Sequence, residues 1–329
     1  MLKYTDENGI LHDKVQIAID RLKAFEPKEG GYYLAFSGGK DSQCIYHLAK
    51  MAGVRFDAHY NVTSVDPPEL VRFIKAQYPD VAIDVSKDKN GKPITMWSLI
   101  ANNTIPPTRM QRYCCEKLKE VKGGVGRVVV TGVRWSESNR RKMLHGVADI
   151  KTKSKKLIGE AIKTNPSASV NNRGTLIMND DNSESRRMVE QCYRTKRAII
   201  NPIVDWTDEN VWEFLNDVAR VPHCSLYDEG FKRLGCIGCP LAGYKKMLHD
   251  FERWPKYKNL YICALEKMYM NNTDKQMRIL GNVRIENSRE AANLIFDWWL
   301  WLHRPDSKAG RAMENPVKLY AEQQKLEEN

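Results

Sequence analysis

Residues 32–42 of this 329-residue chain read Tyr32-Tyr33-Leu34-Ala35-Phe36-Ser37-Gly38-Gly39-Lys40-Asp41-Ser42. The first five form a short, apolar, aromatic-rich run bounded upstream by Gly30-Gly31, the pattern of a buried strand. Past the glycines, Cys44, Ile45, Leu48 and Ala52 recur at helical spacing and Gly53 offers a C-cap. Strand, glycine turn and helix in that order aim backbone N–H groups and a positive helix end at one point, where an anion is stabilised. Gly38 and Gly39 remove the Cβ atoms that would keep phosphate off the backbone. Lys40 adds a point charge for phosphate, and Asp41 a carboxylate able to hold Mg2+. The segment predicts a nucleotide-phosphate loop built from Ser37, Gly38, Gly39, Lys40, Asp41 and Ser42.

Outward from this loop the chain alternates as an α/β sheet requires. A helix is expected over 13–25 and a strand over 56–62. Pro67-Pro68-Glu69 then opens a helix ending by Tyr78, and a short strand follows at 81–85. After a polar loop at 86–93, a helix starts near Trp97, and Arg127-Val128-Val129-Val130-Thr131 reads as a buried parallel strand. Right-handed crossovers between such units give a doubly wound, Rossmann-like parallel sheet, with ligands beyond the carboxyl ends of its strands. Residues 150–185 are dominated by Lys, Ser, Asn and Asp, with one strand candidate at 175–178, and read as an inserted loop or hairpin. Thr207 caps a helix running to about Ala219, and helices are expected at 243–253, 256–270 and 287–302. In the last, Ala291, Ile295, Trp298 and Leu302 share one face, as core packing does. The expected organisation is a nucleotide-binding core over 1–149, a basic insertion over 150–198, the rest of the core with a Cys-x-x-Cys loop over 199–245, and a helical C-terminal region over 246–329.

Composition narrows the function classes. The 42% hydrophobic content suits a globular core. The most apolar run, 294–302, is too short to cross a bilayer and is interrupted by Asp297. Residues 1–14 carry acids and no apolar core, so no signal peptide is expected, and a cytoplasmic location with no membrane partner follows. The formal charge is +11, and residues 134–200 hold fifteen Lys or Arg against seven Asp or Glu. That local excess points to a polyanionic partner, nucleic acid above others.

Eight cysteines, at 44, 114, 115, 192, 224, 236, 239 and 263, argue in a cytoplasmic chain for metal or redox chemistry rather than a disulfide framework. Cys236-Ile237-Gly238-Cys239 lies in a loop whose Gly235 and Gly238 free backbone N–H groups for sulfur. Cys114-Cys115 heads a helical stretch over 114–121. Adjacent side chains diverge, which suits two corners of a broad cube better than a compact tetrahedral ion. Cys114, Cys115, Cys236 and Cys239 are therefore read as ligands of one [4Fe–4S] cluster, with zinc as the alternative. Cys44 and Cys263 fall on apolar helix faces and are expected in the core. Cys192 and Cys224 have no ligand partner in the pattern and are candidate reactive thiols.

The loop over 37–42 resembles the SGG-x-DS loop of the adenine-nucleotide α-hydrolases, or ATP pyrophosphatases, which cleave ATP between the α- and β-phosphates. It is not the G-x-x-x-x-G-K-[ST] P-loop. Thr131-Gly132-Val133-Arg134-Trp135-Ser136-Glu137-Ser138-Asn139-Arg140-Arg141 resembles the T-G-[VIL]-R-x-x-x-S-x-x-R segment of the phosphoadenylyl-sulfate reductase family, the match falling on Gly132, Arg134, Ser138 and Arg141. The Cys-Cys and Cys-x-x-Cys pattern looks like that of the cluster-bearing adenylyl-sulfate reductases. Two departures redirect the resemblance. The reductases usually lose the full SGG-x-DS pattern, which is intact here, and they carry a catalytic cysteine in a Glu-Cys-Gly context near the C-terminus, which these residues lack.

An intact ATP loop, a cysteine quartet and a basic midsection instead resemble the sulfur-inserting ATP pyrophosphatases, closest to the C subunits of Dnd-type DNA phosphorothioation systems. The resemblance implies a sulfurtransferase in which Lys40, Asp41 and Arg134 are catalytic, with ATP, Mg2+ and the cluster as cofactors. Ser138 and Arg141 join the loop in binding nucleotide. DNA, ahead of tRNA, is the implied acceptor, and a cysteine desulfurase or other sulfur donor the implied partner. The alternatives are a sulfonucleotide reductase and a non-catalytic nucleotide sensor.

Overall fold

The computed structural model describes residues 1–120, 126–272, 279–280, 283, 285–304 and 315–327. The chain divides into two compact units that interleave in sequence. The first takes Met1–Asn61, Pro68–Asp84 and Val121–Leu234, and the second Val62–Pro67, Val85–Glu120 and Gly235–Asn329. Among the described residues no helix is long and apolar enough to cross a membrane.

The first unit begins with a hairpin, β1 (Lys3–Thr5) and β2 (Leu11–Asp13), and helix α1 (Lys14–Ala24), whose N-terminal amides are capped by the Asp13 carboxylate. Its main sheet has eight strands: β3 (Tyr32–Ala35), β4 (Phe56–Asn61), β5 (Ala82–Asp84), β6 (Val128–Val130), β7 (Ala148–Lys151), β8 (Ala168–Val170), β9 (Thr175–Met178) and β10 (Arg197–Ile200). The order β5-β4-β3-β6-β10 is parallel throughout, and β7, β9 and β8 extend it antiparallel. The sheet is thus mostly parallel with flanking helices, the α/β class the alternation implies. Helix α2 (Lys40–Ala52) links β3 to β4 and ends on Gly53 at φ 68, and α3 (Pro68–Gln77) links β4 to β5.

Residues 150–198, read above as a basic insertion with a single strand, are instead woven into this sheet. Helix α7 (Lys155–Thr164) and α8 (Ser183–Cys192) connect strands β7 to β10, and Asp149, Ile150 and Lys151 pair on both edges. Side chains alternate across a strand. One face carries Leu34, Val128, Val130, Ala198, Ile200 and Ile150, all fully buried. The other carries Tyr33, Val129 and Ile199 as a small apolar cluster beside Asp57, His59, Arg127 and Lys151. There Tyr33 stacks on His59 at 4.2 Å, and Arg127 reaches Asp57 at 2.6 Å.

The second unit is helical: α4 (Met96–Ala101), α5 (Tyr113–Leu118), α10 (Tyr244–Arg253), α11 (Pro255–Met270), α12 (Ser288–Leu302) and α13 (Pro316–Glu327). Helix α5 ends before residues 119–121, so the expected stretch over 114–121 is shorter in its described part, and Val121 lies outside the described residues. The tryptophan at the centre of this unit is Trp299, fully buried with its indole N–H donating to the Pro107 carbonyl at 2.7 Å, rather than Trp298. Phe251, Tyr261 and Phe296 ring it edge-on or tilted.

Candidate functional site

In the first unit α6 (Asn139–Leu144) and α9 (Asp208–Glu213) complete the surroundings of the glycine loop. Gly38 sits at φ 72, and a Cβ there would lie 2.7 Å from Ile74 Cδ1, so neither its backbone nor its space admits a side chain. Ser42 Oγ donates to the Gly39 carbonyl at 2.8 Å and accepts from the Ser37 amide at 3.1 Å, closing the loop on itself. The N-cap Gly39 brings no side chain to α2, a thirteen-residue helix; of its first amides that of Lys40 is taken by the Tyr227 hydroxyl at 2.8 Å. Gly132 packs against this turn: a Cβ on it would meet the Asp41 backbone at 2.9 Å.

The charged groups form one compensated set. Lys40, 5% exposed, places Nζ 3.4 Å from Asp41 and 3.2 Å from Asp208. Arg134, 1% exposed, donates from Nε to Asp41 at 2.7 Å, from Nη1 to Ser136 Oγ at 2.8 Å and the Trp206 carbonyl at 3.3 Å, and from Nη2 to Asp208. Burial works against the Arg134 charge, but Asp41 and Asp208 more than restore it. Burial likewise works against the Asp208 carboxylate, and Arg134 and Lys40 hold it below its ordinary range.

The Arg134 guanidinium bonds both carboxylates, Asp41 and Asp208, and orients them. Asp208 keeps Oδ2 without a hydrogen bond among the described residues, and Asp41 Oδ2 has Lys40 Nζ at 3.5 Å. These oxygens are the ones able to hold Mg2+.

Ser138 and Arg141 have local tasks. The Ser138 hydroxyl caps α6 by accepting from the Arg141 amide at 3.2 Å, and Arg141 pairs with Glu137 at 3.4 Å. Glu137 also accepts from the Arg134 amide at 3.2 Å. Sequence patterns gave no sign of Asp208 or of Tyr227, whose hydroxyl accepts from the Lys40 amide at 2.8 Å.

The four cysteines of the expected cluster all belong to the second unit. Cys114 and Cys115 open α5, and Cys236 and Cys239 flank a turn in which Gly238 holds φ 68. A Cβ on Gly238 would sit 2.5 Å from Phe251 Cζ. The turn is anchored by the Ile237 amide donating to the Val65 carbonyl at 2.8 Å, and by Tyr261 donating to the Ile237 carbonyl at 2.9 Å. The Gly238 amide donates to Asp250 at 3.1 Å, so it is not free for sulfur as expected. The two adjacent thiols perturb one another: their interaction, with help from Arg112, lowers the Cys115 thiol and raises that of Cys114. Burial pushes Cys236 up to about 11 against the pull of Lys119.

Cys114, Cys115, Cys236 and Cys239 are unbridged, half-buried thiols attended by two cations, a donor set that suits an anionic cluster. Among the described residues no three His, Cys, Asp or Glu side chains converge tightly enough for one metal ion.

The other cysteines sort by burial. Cys44 is buried as expected, whereas Cys263 is exposed beside Arg289 at 3.3 Å and not in the core. Cys192 and Cys224 are buried, which pushes their thiols up and argues against reactive roles.

Known proteins resemble this chain at three levels. An uncharacterised protein of Methanocaldococcus jannaschii is 27% identical over 71% of this chain and 47% of its own length. The chain thus spans about half the length of the curated relatives it matches most broadly. An adenosine 5'-phosphosulfate reductase of Oceanobacillus iheyensis is 37% identical over 14% of this chain and 19% of its own. The crystal structure of phosphoadenylyl-sulfate reductase from Candida auris, a phosphate complex, aligns over 71% of this chain and 96% of that one, at 15% identity and a TM-score of 0.36. The phosphoadenosine phosphosulfate reductase domain model matches residues 31–242, well over half of the chain, and the chain therefore belongs to that family.

Proposed function

We propose that this chain is an ATP pyrophosphatase-type sulfurtransferase that adenylylates a nucleic-acid acceptor and supports sulfur insertion, as the Dnd-type C subunits it resembles imply. The observation that carries this reading is the intact loop over 37–42. Gly38 admits no side chain, the N-cap Gly39 adds none over the helix end, and Lys40 is buried beside it. The triphosphate lies along this loop, with pyrophosphate at the N-terminus of α2. An acceptor oxygen attacks the α-phosphorus, the α–β bond breaks, and pyrophosphate leaves with its charge balanced by Lys40 and the loop amides. The acceptor is then an adenylyl anhydride. The terminal sulfur of a desulfurase persulfide forms the P–S bond as the P–O bond to AMP breaks, and a second thiol cleaves the S–S bond, leaving as a disulfide with the carrier cysteine.

Asp41 and Asp208 would hold Mg2+, which supplies further charge neutralisation when bound. Arg134 keeps both carboxylates in place. Cys114, Cys115, Cys236 and Cys239 would hold a [4Fe–4S] cluster, which supplies a four-iron centre tuned by the Arg112 and Lys119 charges.

Purified protein given ATP, Mg2+ and DNA oligonucleotides should release pyrophosphate, with AMP following once a desulfurase and cysteine are added, and Lys40→Ala should abolish both. If wild-type protein releases none with DNA or tRNA, the ATP-splitting step is wrong. A second reading, reduction of a sulfonucleotide, draws on the short stretch of 37% identity to adenosine 5'-phosphosulfate reductase. Thioredoxin-dependent sulfite release from adenylyl sulfate would select it.

A further inference from the structure

On the polar face of the main sheet a cavity of about 530 Å3 opens beside β7, β9 and β10. Its walls include His145, Asp149, Lys151, Lys153, Arg173 and Lys196. Local structure fixes these groups. Lys151 lies opposite Thr175 on one side and Arg197 on the other. Arg173 rides on a closed turn in which Asn171 Oδ1 accepts from the Arg173 and Thr175 amides at 2.9 and 3.0 Å, and Gly174 supplies φ 74. Asn171 Nδ2 donates to the Leu144 carbonyl at 3.0 Å, tying the turn to the end of α6.

Charge in this cavity is one-sided. Its sole carboxylate, Asp149, is 2% exposed and already accepts from His145 Nδ1 at 2.7 Å, the Gly146 amide at 2.9 Å and Asn201 Nδ2 at 3.1 Å. Among the described residues no ion pair involves Lys153, Arg173 or Lys196. A concave surface with uncompensated cations draws in polyanions and is relieved by them. This contrasts with the glycine loop, where every charge has an opposite within the site.

We propose that this cavity holds the sugar–phosphate backbone of a nucleic acid, with Lys153, Arg173 and Lys196 on phosphates. His145 adds the element that separates a nucleic acid from a bare anion. Its Nδ1 is engaged by Asp149 at 2.7 Å, which leaves Nε2 without a partner among the described residues and able to hydrogen-bond a base edge or sugar hydroxyl. From the wall, Asp149 is joined by hydrogen bonds through Asn201 to the Thr131 hydroxyl, one residue before Gly132, which packs on the Asp41 backbone. Its cations Lys153, Arg173 and Lys196 stand at the end of the sheet where β10 begins, opposite the strand ends that carry the glycine loop. That the bound nucleic acid is the adenylyl acceptor rests on the function proposed above; that it binds here rests on the cavity alone.

The test is fluorescence anisotropy of the full chain with labelled single- and double-stranded DNA and single-stranded RNA between 50 and 200 mM salt. The charge reversal Lys153→Glu/Arg173→Glu should weaken binding at least about tenfold and flatten the salt slope by about 1–2 for two lost phosphate contacts. The milder Lys153→Gln/Arg173→Gln pair, checked by circular dichroism, should move both in the same direction. His145→Phe should weaken binding severalfold with the salt slope unchanged. Which oligonucleotide binds tightest names the class of nucleic acid. Unchanged affinity in both double variants overturns the proposal, as does polyglutamate competing as well as an oligonucleotide of equal charge, which would make this a surface for acidic protein. Lys40→Ala should leave oligonucleotide affinity intact. If wild-type protein splits no ATP yet oligonucleotide binding follows the cavity variants, the function proposed above falls and this surface stands.

Discussion

The glycine loop of the first unit and the cysteine turn of the second solve opposite electrostatic problems. Around the loop two cations, Lys40 and Arg134, meet two carboxylates, Asp41 and Asp208, and the set is neutral before any ligand arrives. Around the cysteines the cations Arg112 and Lys119 face thiols, which carry no charge until they ionise. The first arrangement is built to be stable empty and to exchange its ligand. The second gains most when its thiols are thiolates held by something permanent. A turnover site and a resident centre are expected to differ in this way.

The sharpest way to break this comparison is Cys236→Ser. Iron and acid-labile sulfide in anaerobically purified protein should fall to background, while ATP binding stays within about twofold of wild type because no loop residue is touched. Cys192→Ser, which alters a buried thiol with no ligand role, should leave iron content unchanged. Equal iron in both variants would remove the resident centre from the account.

Arg134→Ala comes next. It strands Asp41 and Asp208 beside one lysine, and removing one member of a buried ion pair costs about 3–5 kcal/mol; the lower end applies because Asp208 is partly solvated. Urea denaturation should show that loss together with failed ATP binding. If Arg134→Ala keeps full stability, the compensated set is not what holds the loop.

How much of this was legible in the sequence follows from distance along the chain. Ser37 to Ser42 are consecutive, so their hydrogen bonds and the positive φ at Gly38 are local facts that a string of residues can carry. Gly53 as the cap of α2 is legible for the same reason. Tyr227 reaches the Lys40 amide across 187 residues, and no pattern links the two.

Arg134 was visible as a cation but not as one already claimed by carboxylates, because Asp208 looks like an ordinary first-turn acid after the Thr207 cap. Within 150–198 the apolar run Leu176-Ile177-Met178 announced β9, whereas β8 (Ala168–Val170) is partly exposed along its length and neither alternation nor a hydrophobic run marks it. Cys263 misled for the opposite reason. Its neighbours Tyr261, Ile262, Ala264 and Leu265 are buried, and the helix turns Cys263 alone outward among them.

Gly38 and Gly238, both at positive φ, sharpen the comparison. Gly38→Ala and Gly238→Ala each force a Cβ into a left-handed residue and into a neighbouring side chain, Ile74 in one case and Phe251 in the other. Each should cost about 2 kcal/mol from backbone strain and repacking. Their functional losses should separate cleanly: nucleotide affinity for Gly38→Ala, iron content for Gly238→Ala. If both variants lose both properties, the two sites are energetically one.

The smallest expected effect concerns what the regions share. Each contains an imidazole pushed down to about 4, chiefly by burial: His47 on α2, with Lys50 adding to the shift, and His303 after α12, with Arg109 adding to it. An unfolded chain titrates such rings near 6.5. Between about pH 6.5 and 4 the unfolded chain therefore binds more protons than the folded one, so stability falls as pH drops through that window and is fully present above it. His47 also bonds the Tyr78 hydroxyl at 3.1 Å, so His47→Gln keeps a polar partner for that group while removing the titration.

His303 Nε2 is buried with no partner among the described residues, which makes His303→Leu the matching replacement. Each change should remove about 1 kcal/mol of the stability difference between pH 7 and pH 5, read from urea midpoints at the two values. The effects should be similar in both regions, since solvent exclusion rather than the local charge pattern sets the shift. A slope that responds to His47→Gln but not to His303→Leu would mean that the Lys50 charge, not burial, governs the imidazole on α2, and that even this shared feature divides along electrostatic lines.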